Sequence, residues 1–184
     1  MTAHNAVTGD QITRYIYGSS INAVAPLIHR NDLLAAEIFP DSCPNDPFDR
    51  VTYSYNRVGE RIFKRDQNGT THEYHYDNLG RLLHDNTPTL GDGVNNSVRR
   101  ISTVFTPDGH HDRITSYDNP NVGQGNITNQ IVYEYDSCGL LSREFQNPSG
   151  AATVASRYVG YTYDTTKSGD YFTKHSGGPL KLGV

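Results

Sequence analysis

"EYHYDNLGRL" (73–82) sets two tyrosines two residues apart, places an aspartate directly after the second, and puts a glycine three residues further on. Taken alone, His75, Asp77 and Arg81 suggest a reactive cluster. Taken as a pattern, the stretch suggests scaffold, and it does recur. "VTYSYNRVGERI" (51–62) and "VYEYDSCGLL" (132–141) repeat aromatic-x-Tyr, Asn or Asp, two residues, Gly, and then a basic or apolar pair. Weaker copies are "TVFTPDGHHDRI" (103–114), with Phe105 and Gly109 in register, "GYTYDTTKSGDYF" (160–172), with two extra residues between Asp164 and Gly169, and "RYIYGSSI" (14–21). The second aromatic falls at Tyr17, Tyr55, Tyr76, Phe105, Tyr135 and Tyr163, so the period is loose and insertions separate the units.

The chemistry of one unit predicts a β-hairpin. Alternation with period two sends Tyr74 and Tyr76 to one face of a strand and His75 to the other. "DNLG" fits a type I turn with Asp77 first and Gly80 fourth. Asp77 accepts a local backbone N–H, and Gly80 supplies the positive φ that closes the hairpin through a bulge. "RLLHD" then returns as the partner strand. A lone hairpin is marginal in water, so stacked neighbours must supply the missing burial. The connectors "DQNGT" (66–70), "NTPTLGDG" (86–93), "DNPNVGQGN" (118–126) and "QNPSGA" (146–151) read as further reversals, not flexible linkers. "HRNDLLAAEIFPDS" (29–42) is open between a short helix capped by Asn31 and a strand ended by Pro40; the surrounding hairpins favour the strand. The expectation is an all-β chain, one array of about six antiparallel hairpins over 1–184, clearest at 51–65, 73–85 and 131–145, with no separate second domain.

Bulk properties agree and exclude several classes of function. Hydrophobic residues make up 35% of the chain even with its 13 tyrosines included, too few for a deep aliphatic core. Tyrosine compensates in part, burying a large ring while its hydroxyl keeps a polar partner. A net charge of −4, with Lys and Arg scattered apart from Arg99-Arg100, provides no electrostatic footprint for nucleic acid. No apolar run reaches membrane-spanning length, and "MTAHNAVTGD" (1–10) lacks the basic and apolar regions of a secretion signal. Two cysteines, Cys43 and Cys138, make no disulfide framework and are expected to be unpaired.

The pattern at 74–82 resembles the tyrosine-aspartate (YD) repeat of the RHS family, which includes bacterial polymorphic-toxin proteins, the C components of insecticidal toxin complexes and the animal teneurins. The likeness extends through "DRVTYSYNRVGERIFKRDQNGTTHEYHYDNLGRLLHD" (49–85), which reads as two consecutive units, and into "RNDLLAAEIFPDS" (30–42) and "RRISTVFTPDGHHDRITSYDN" (99–119). What the resemblance implies is a hairpin ribbon curling into a hollow shell that encloses a toxin or a cavity. Six hairpins form only an arc of such a shell, so the chain is expected to be a piece of a larger array. The aspartyl self-cleavage of toxin-bearing members depends on an Asp-Pro-x-Gly type motif, and "NDPF" (45–48) lacks its glycine.

Individual reactive groups fit structural roles better than chemical ones. His72 and His75, with Glu73 between them, point to opposite strand faces and cannot share an ion along that strand. His110, His111 and Asp112 follow a turn glycine with no further ligand at a supporting spacing. Asp77, Asp136 and Asp164 recur in one slot, whereas acid–base catalysis needs two carboxyls in different environments at a single site. Cys138 lacks a neighbouring cation to activate it, and the sequons at 68–70, 95–97 and 126–128 matter only in a eukaryotic secretory pathway.

The residues carrying the repeat are therefore Tyr53, Tyr55, Gly59, Tyr74, Tyr76, Asp77, Gly80, Phe105, Gly109, Tyr133, Tyr135, Asp136, Gly139, Tyr161, Tyr163 and Asp164, with no catalytic residue, metal or cofactor. The expected function is that of a non-enzymatic structural module. In its parent, secreted or cell-surface by resemblance, it would contact the remaining repeats or a cargo domain. The alternative is a carbohydrate- or protein-binding module using tyrosine-lined surfaces, with neither nucleic acid nor a membrane span involved.

Overall fold

Alternating aromatic and polar side chains become extended strands throughout the computed structural model, which describes residues 2–3, 11–18, 31–43, 46, 48–164 and 171–177. The chain is all-β, with no helix among the described residues. Its contacts gather into two compact units, residues 1–95 and 96–184.

The first unit holds β1 (Thr2–Ala3) and β2 (Gln11–Ile12), which pair with each other, followed by β3 (Arg14–Tyr17), β4 (Leu34–Ile38), β5 (Val51–Tyr55), β6 (Arg61–Arg65), β7 (Thr71–Tyr76) and β8 (Leu82–Thr89). From β3 to β8 each strand pairs antiparallel with the next in sequence. The segment left open between helix and strand is β4, and it ends two residues before Pro40. The second unit holds β9 (Arg100–Phe105), β10 (His111–Tyr117), β11 (Ile127–Tyr135), β12 (Leu141–Asn147), β13 (Arg157–Asp164) and β14 (Tyr171–Gly177), again paired in sequence order.

Five turns share one backbone design. The amides of Asn56, Asp66, Asp77, Thr106 and Asp136 donate to the carbonyls of Glu60, Thr70, Arg81, His110 and Leu140, at 2.8–3.0 Å. The glycine in fourth position donates back to the first carbonyl, at 2.9–3.1 Å. Those glycines, Gly59, Gly69, Gly80, Gly109 and Gly139, all lie at positive φ between 77° and 94°. In the turns at 56–60, 77–81, 106–110 and 136–140 the strand register shifts beside the turn, the signature of a glycine bulge. "DQNGT" is thus a fifth copy of the turn and not merely a connector between units. "NTPTLGDG" departs further from expectation, because β8 continues through Thr89 and Pro88 sits inside it. Thr87 and Pro88 together oppose His72 at a bulge, one of the few places in a sheet where proline's missing N–H is tolerated.

Little of this is held by a hydrophobic interior. Ala36, Val51 and Phe145 are the buried apolar side chains among the described residues, while Thr70, Asn86, Arg100, Ser102, Thr115, Ser116 and Gln130 are buried polar ones. Gln130 shows how these are satisfied: its amide donates to Thr115 Oγ1 at 2.8 Å and its oxygen accepts from the Ala152 amide at 3.0 Å. Arg100 acts as a keystone. Its guanidinium lies 4.0 Å from the Tyr117 ring centroid and donates to the carbonyls of Asn119, Asn121 and Gln124, gathering the 118–126 connector around a single buried cation. Asp118 closes the same loop by accepting from the amide and side chain of Asn126.

Gly80 tests the hairpin design. A Cβ there would lie 2.8 Å from Glu60 Oε1 in addition to occupying positive φ, whereas Gly93, at a similar φ of 75°, has nothing within 4 Å. Gly80→Val is expected to cost more than about 1 kcal/mol in urea denaturation and more than Gly93→Val. Equal losses at the two positions would contradict the nested turn.

Candidate functional site

Side chains on the hairpins divide the repeat into three jobs. The first residue of the turn caps it. Asp77 Oδ1 accepts from the amides of Leu79 and Arg81 at 2.9 and 3.0 Å, and Asp136 Oδ1 accepts from Cys138 and Leu140 at 2.8 and 2.9 Å. Asn56 does the same with its amide oxygen toward Val58 and Glu60, and Thr106 Oγ1 accepts from His110. Asp77 also holds the Arg81 guanidinium at 2.7 Å. Asp164 ends β13, and the turn after it lies outside the described residues, as does the reversal in "RYIYGSSI" beyond Gly18.

The second tyrosine reaches backward. Tyr55 donates to the Leu34 carbonyl at 2.8 Å, Tyr76 to Arg61 at 2.8 Å, Tyr135 to His111 at 2.9 Å and Tyr163 to Leu141 at 3.1 Å. Each acceptor is the first residue of the preceding strand, β4, β6, β10 and β12. The hydroxyl thereby ties each hairpin to the strand before it. Phe105 occupies the same slot without a hydroxyl, and its strand, β9, opens the second unit, so no earlier strand of that unit offers a carbonyl. Its ring instead packs on His111, with centroids 4.9 Å apart.

The first tyrosine of each pair meets a carboxylate. Tyr53 donates to Glu37 Oε1 at 3.1 Å and Tyr161 to Glu144 Oε2 at 3.3 Å. Burial and then the Glu37 hydrogen bond push the Tyr53 hydroxyl up to about 12. Burial followed by a nearby carboxylate also raises Tyr74, beside Asp85, and Tyr133, beside Glu144. In the first unit these rings stack into a column. The Arg61 guanidinium lies 5.6 Å from the Tyr53 centroid and 4.9 Å from that of Tyr74, and Tyr74 stacks on His72 at 6.0 Å and 11°. His72 Nδ1 contacts Asp85 Oδ1 at 2.7 Å. Ring faces that would otherwise meet a ligand are thus engaged within the fold.

The remaining reactive groups do not converge. His110 packs on Tyr135 at 4.7 Å, His111 lies 6.1 Å from Tyr133, and Asp112 pairs with Arg113 at 2.9 Å. Among the described residues no three His, Cys, Asp or Glu side chains form a group able to hold a metal ion. Cys43 and Cys138 are exposed free thiols. Sequence reasoning missed the carboxylate partners Glu37, Asp85 and Glu144, which become neighbours only through cross-strand register. It also missed the column through Arg61, the residue directly after the turn at 56–60, because no other turn is followed by an arginine.

No family model matches the chain, and no curated protein matches it. Among solved structures, the crystal structure of TcdB2-TccC3-TEV is similar at a TM-score of 0.31 and 14% identity, over 88% of this chain and 10% of that one. The chain therefore spans a small part of that protein's length. The likeness is weak.

The turn caps generate a pH prediction. The Arg81 amide, then the Arg81 side chain and the Leu79 amide, hold the Asp77 carboxyl below its ordinary value. A depressed folded-state value favours the folded chain above the unfolded carboxyl's value, and that contribution disappears as pH falls through the folded one. Asn56 shows that an amide oxygen can cap the same turn, so Asp77→Asn should preserve the hairpin and flatten the acid limb of stability in thermal melts between pH 2 and 5, a range set by about 3.9 for an unperturbed aspartate. An unchanged acid limb would contradict the assignment.

Proposed function

We propose that the chain is a non-enzymatic structural module, a stretch of hairpin repeats from an RHS-type shell whose parent protein encloses a cargo or acts at the cell surface. The observation that carries this reading is the recurring latch, in which four tyrosine hydroxyls each bond the first carbonyl of the preceding strand. A catalytic or ligand-binding fold concentrates its distinctive side chains at one place. Here they are dealt out one per hairpin, in the same role, so each repeat's most characteristic group serves assembly with its neighbour. The tyrosine-aspartate resemblance supplies the shell, and the engagement of the Tyr53 and Tyr74 faces by Arg61 favours packing over sugar binding at that column.

Substitution at the latch and a ligand screen together test the proposal. Tyr55→Phe and Tyr135→Phe are each expected to lower stability by about 1 kcal/mol in urea denaturation, because ring packing is kept and one hydrogen bond is lost. The wild-type chain is expected to bind nothing on a glycan array. Glycan binding abolished by Tyr74→Ala, with the far-ultraviolet circular dichroism unchanged, would overturn the structural reading in favour of a binding module.

A further inference from the structure

Along β7, His72 and His75 cannot share an ion, but the hairpin gives His75 a different partner. The register pairs Glu73 with Asn86, Tyr74 with Asp85 and His75 with His84. Alternation then places Glu73, His75, His84 and Asn86 on one face of β7–β8, with His72, Tyr74 and Asp85 on the other. The imidazoles of His75 and His84 have centroids 6.2 Å apart, inclined at 66°. Glu73 and His75 are exposed, and Glu73 faces the uncharged Asn86 and Phe63 on its two neighbouring strands.

We propose that His75 and His84, opposed across the β7–β8 hairpin, form a binding site for a zinc-like divalent transition metal, with water completing the coordination sphere and the Glu73 carboxylate elsewhere on the same face. Two imidazole nitrogens each about 2.0–2.1 Å from zinc in a tetrahedral arrangement bring the ring centroids to about 5 Å. The observed separation exceeds that by about 1 Å, a difference that rotation of the exposed His75 ring can close. Imidazole is a preferred ligand for zinc, copper and nickel, and a carboxylate on the same face adds charge of the right sign.

A second observation on the same face points to a missing polar partner. Asn86 is 7% exposed and its Oδ1 is buried with no hydrogen-bond partner. Native structures rarely leave such an acceptor unsatisfied, and an ion or water is a usual explanation. A metal-bound water donating to Asn86 Oδ1 would act as the outer-shell contact that such sites require. The protein itself provides two imidazoles and not a closed cage, in keeping with the absence of a converging three-ligand group among the described residues. The site is therefore an open one, unlike a structural zinc centre.

Calorimetric titration of the full chain with zinc chloride at neutral pH tests this. The expected result is saturable binding of one ion, weakened by more than about tenfold in His75→Gln and in His84→Gln and retained in His72→Gln. If His84→Gln fails to fold, two readings remain: exposed His75→Gln, and the imidazole proton resonances of the wild type, where zinc should perturb His75 and His84 ahead of the other histidines. No saturable binding up to about 1 mM zinc, binding that survives His75→Gln, or first perturbation at His110 or His111 would each overturn the site.

Discussion

A hairpin of this size cannot hold itself together in water, and everything else in the molecule depends on how each hairpin is joined to the one before it. The joint is a tyrosine hydroxyl donating to the first carbonyl of the preceding strand. It recurs at Tyr55, Tyr76, Tyr135 and Tyr163 with lengths of 2.8–3.1 Å. The position is economical in physical terms. A ring on the strand covers the neighbouring backbone while its hydroxyl satisfies a carbonyl at a strand end, where ladder pairing begins and an unpaired acceptor would otherwise cost free energy.

Because joints are local, the fold can dispense with a deep interior. Among the described residues the three buried apolar side chains are spread over both units, and burial is shared with serine, threonine, asparagine, glutamine and one arginine. In the first unit a stacked column of Tyr53, Arg61, Tyr74 and His72 takes the place that aliphatic packing holds in an ordinary sandwich, with the Glu37 and Asp85 carboxylates at its ends. In the second, Arg100 does for a long connector what a small core would do elsewhere, collecting three carbonyls on one buried guanidinium. Such an architecture is extended by adding repeats and interrupted by removing a joint.

The hairpins themselves were legible in the sequence, since alternation and the Asp-x-x-Gly turn are local signals read within a dozen residues. Gly80 at a φ of 77° and the register shift beside Tyr76 follow directly from "DNLG". The turn at 66–70 was read only as a connector because no tyrosine precedes Asp66, although its backbone hydrogen bonds match the others. Pro88 masked the continuation of β8, since only the bulge opposite His72 makes a proline acceptable there. The different jobs of the two tyrosines, and the opposition of His75 and His84, were not legible at all. They depend on which residues face each other across strands, and each bulge shifts that register by one.

Residue-resolved amide hydrogen exchange on the full chain tests the repeated turn most directly. Each of the five turns engages two amides in hydrogen bonds, at its first residue and its glycine. The account predicts slowed exchange at Asn56, Asp66, Asp77, Thr106 and Asp136 and at Gly59, Gly69, Gly80, Gly109 and Gly139, with faster exchange at the second turn residues Arg57, Gln67, Asn78 and Ser137. Uniformly fast exchange across these turns, or protection at 77–81 without its counterpart at 66–70, would contradict a single repeated unit.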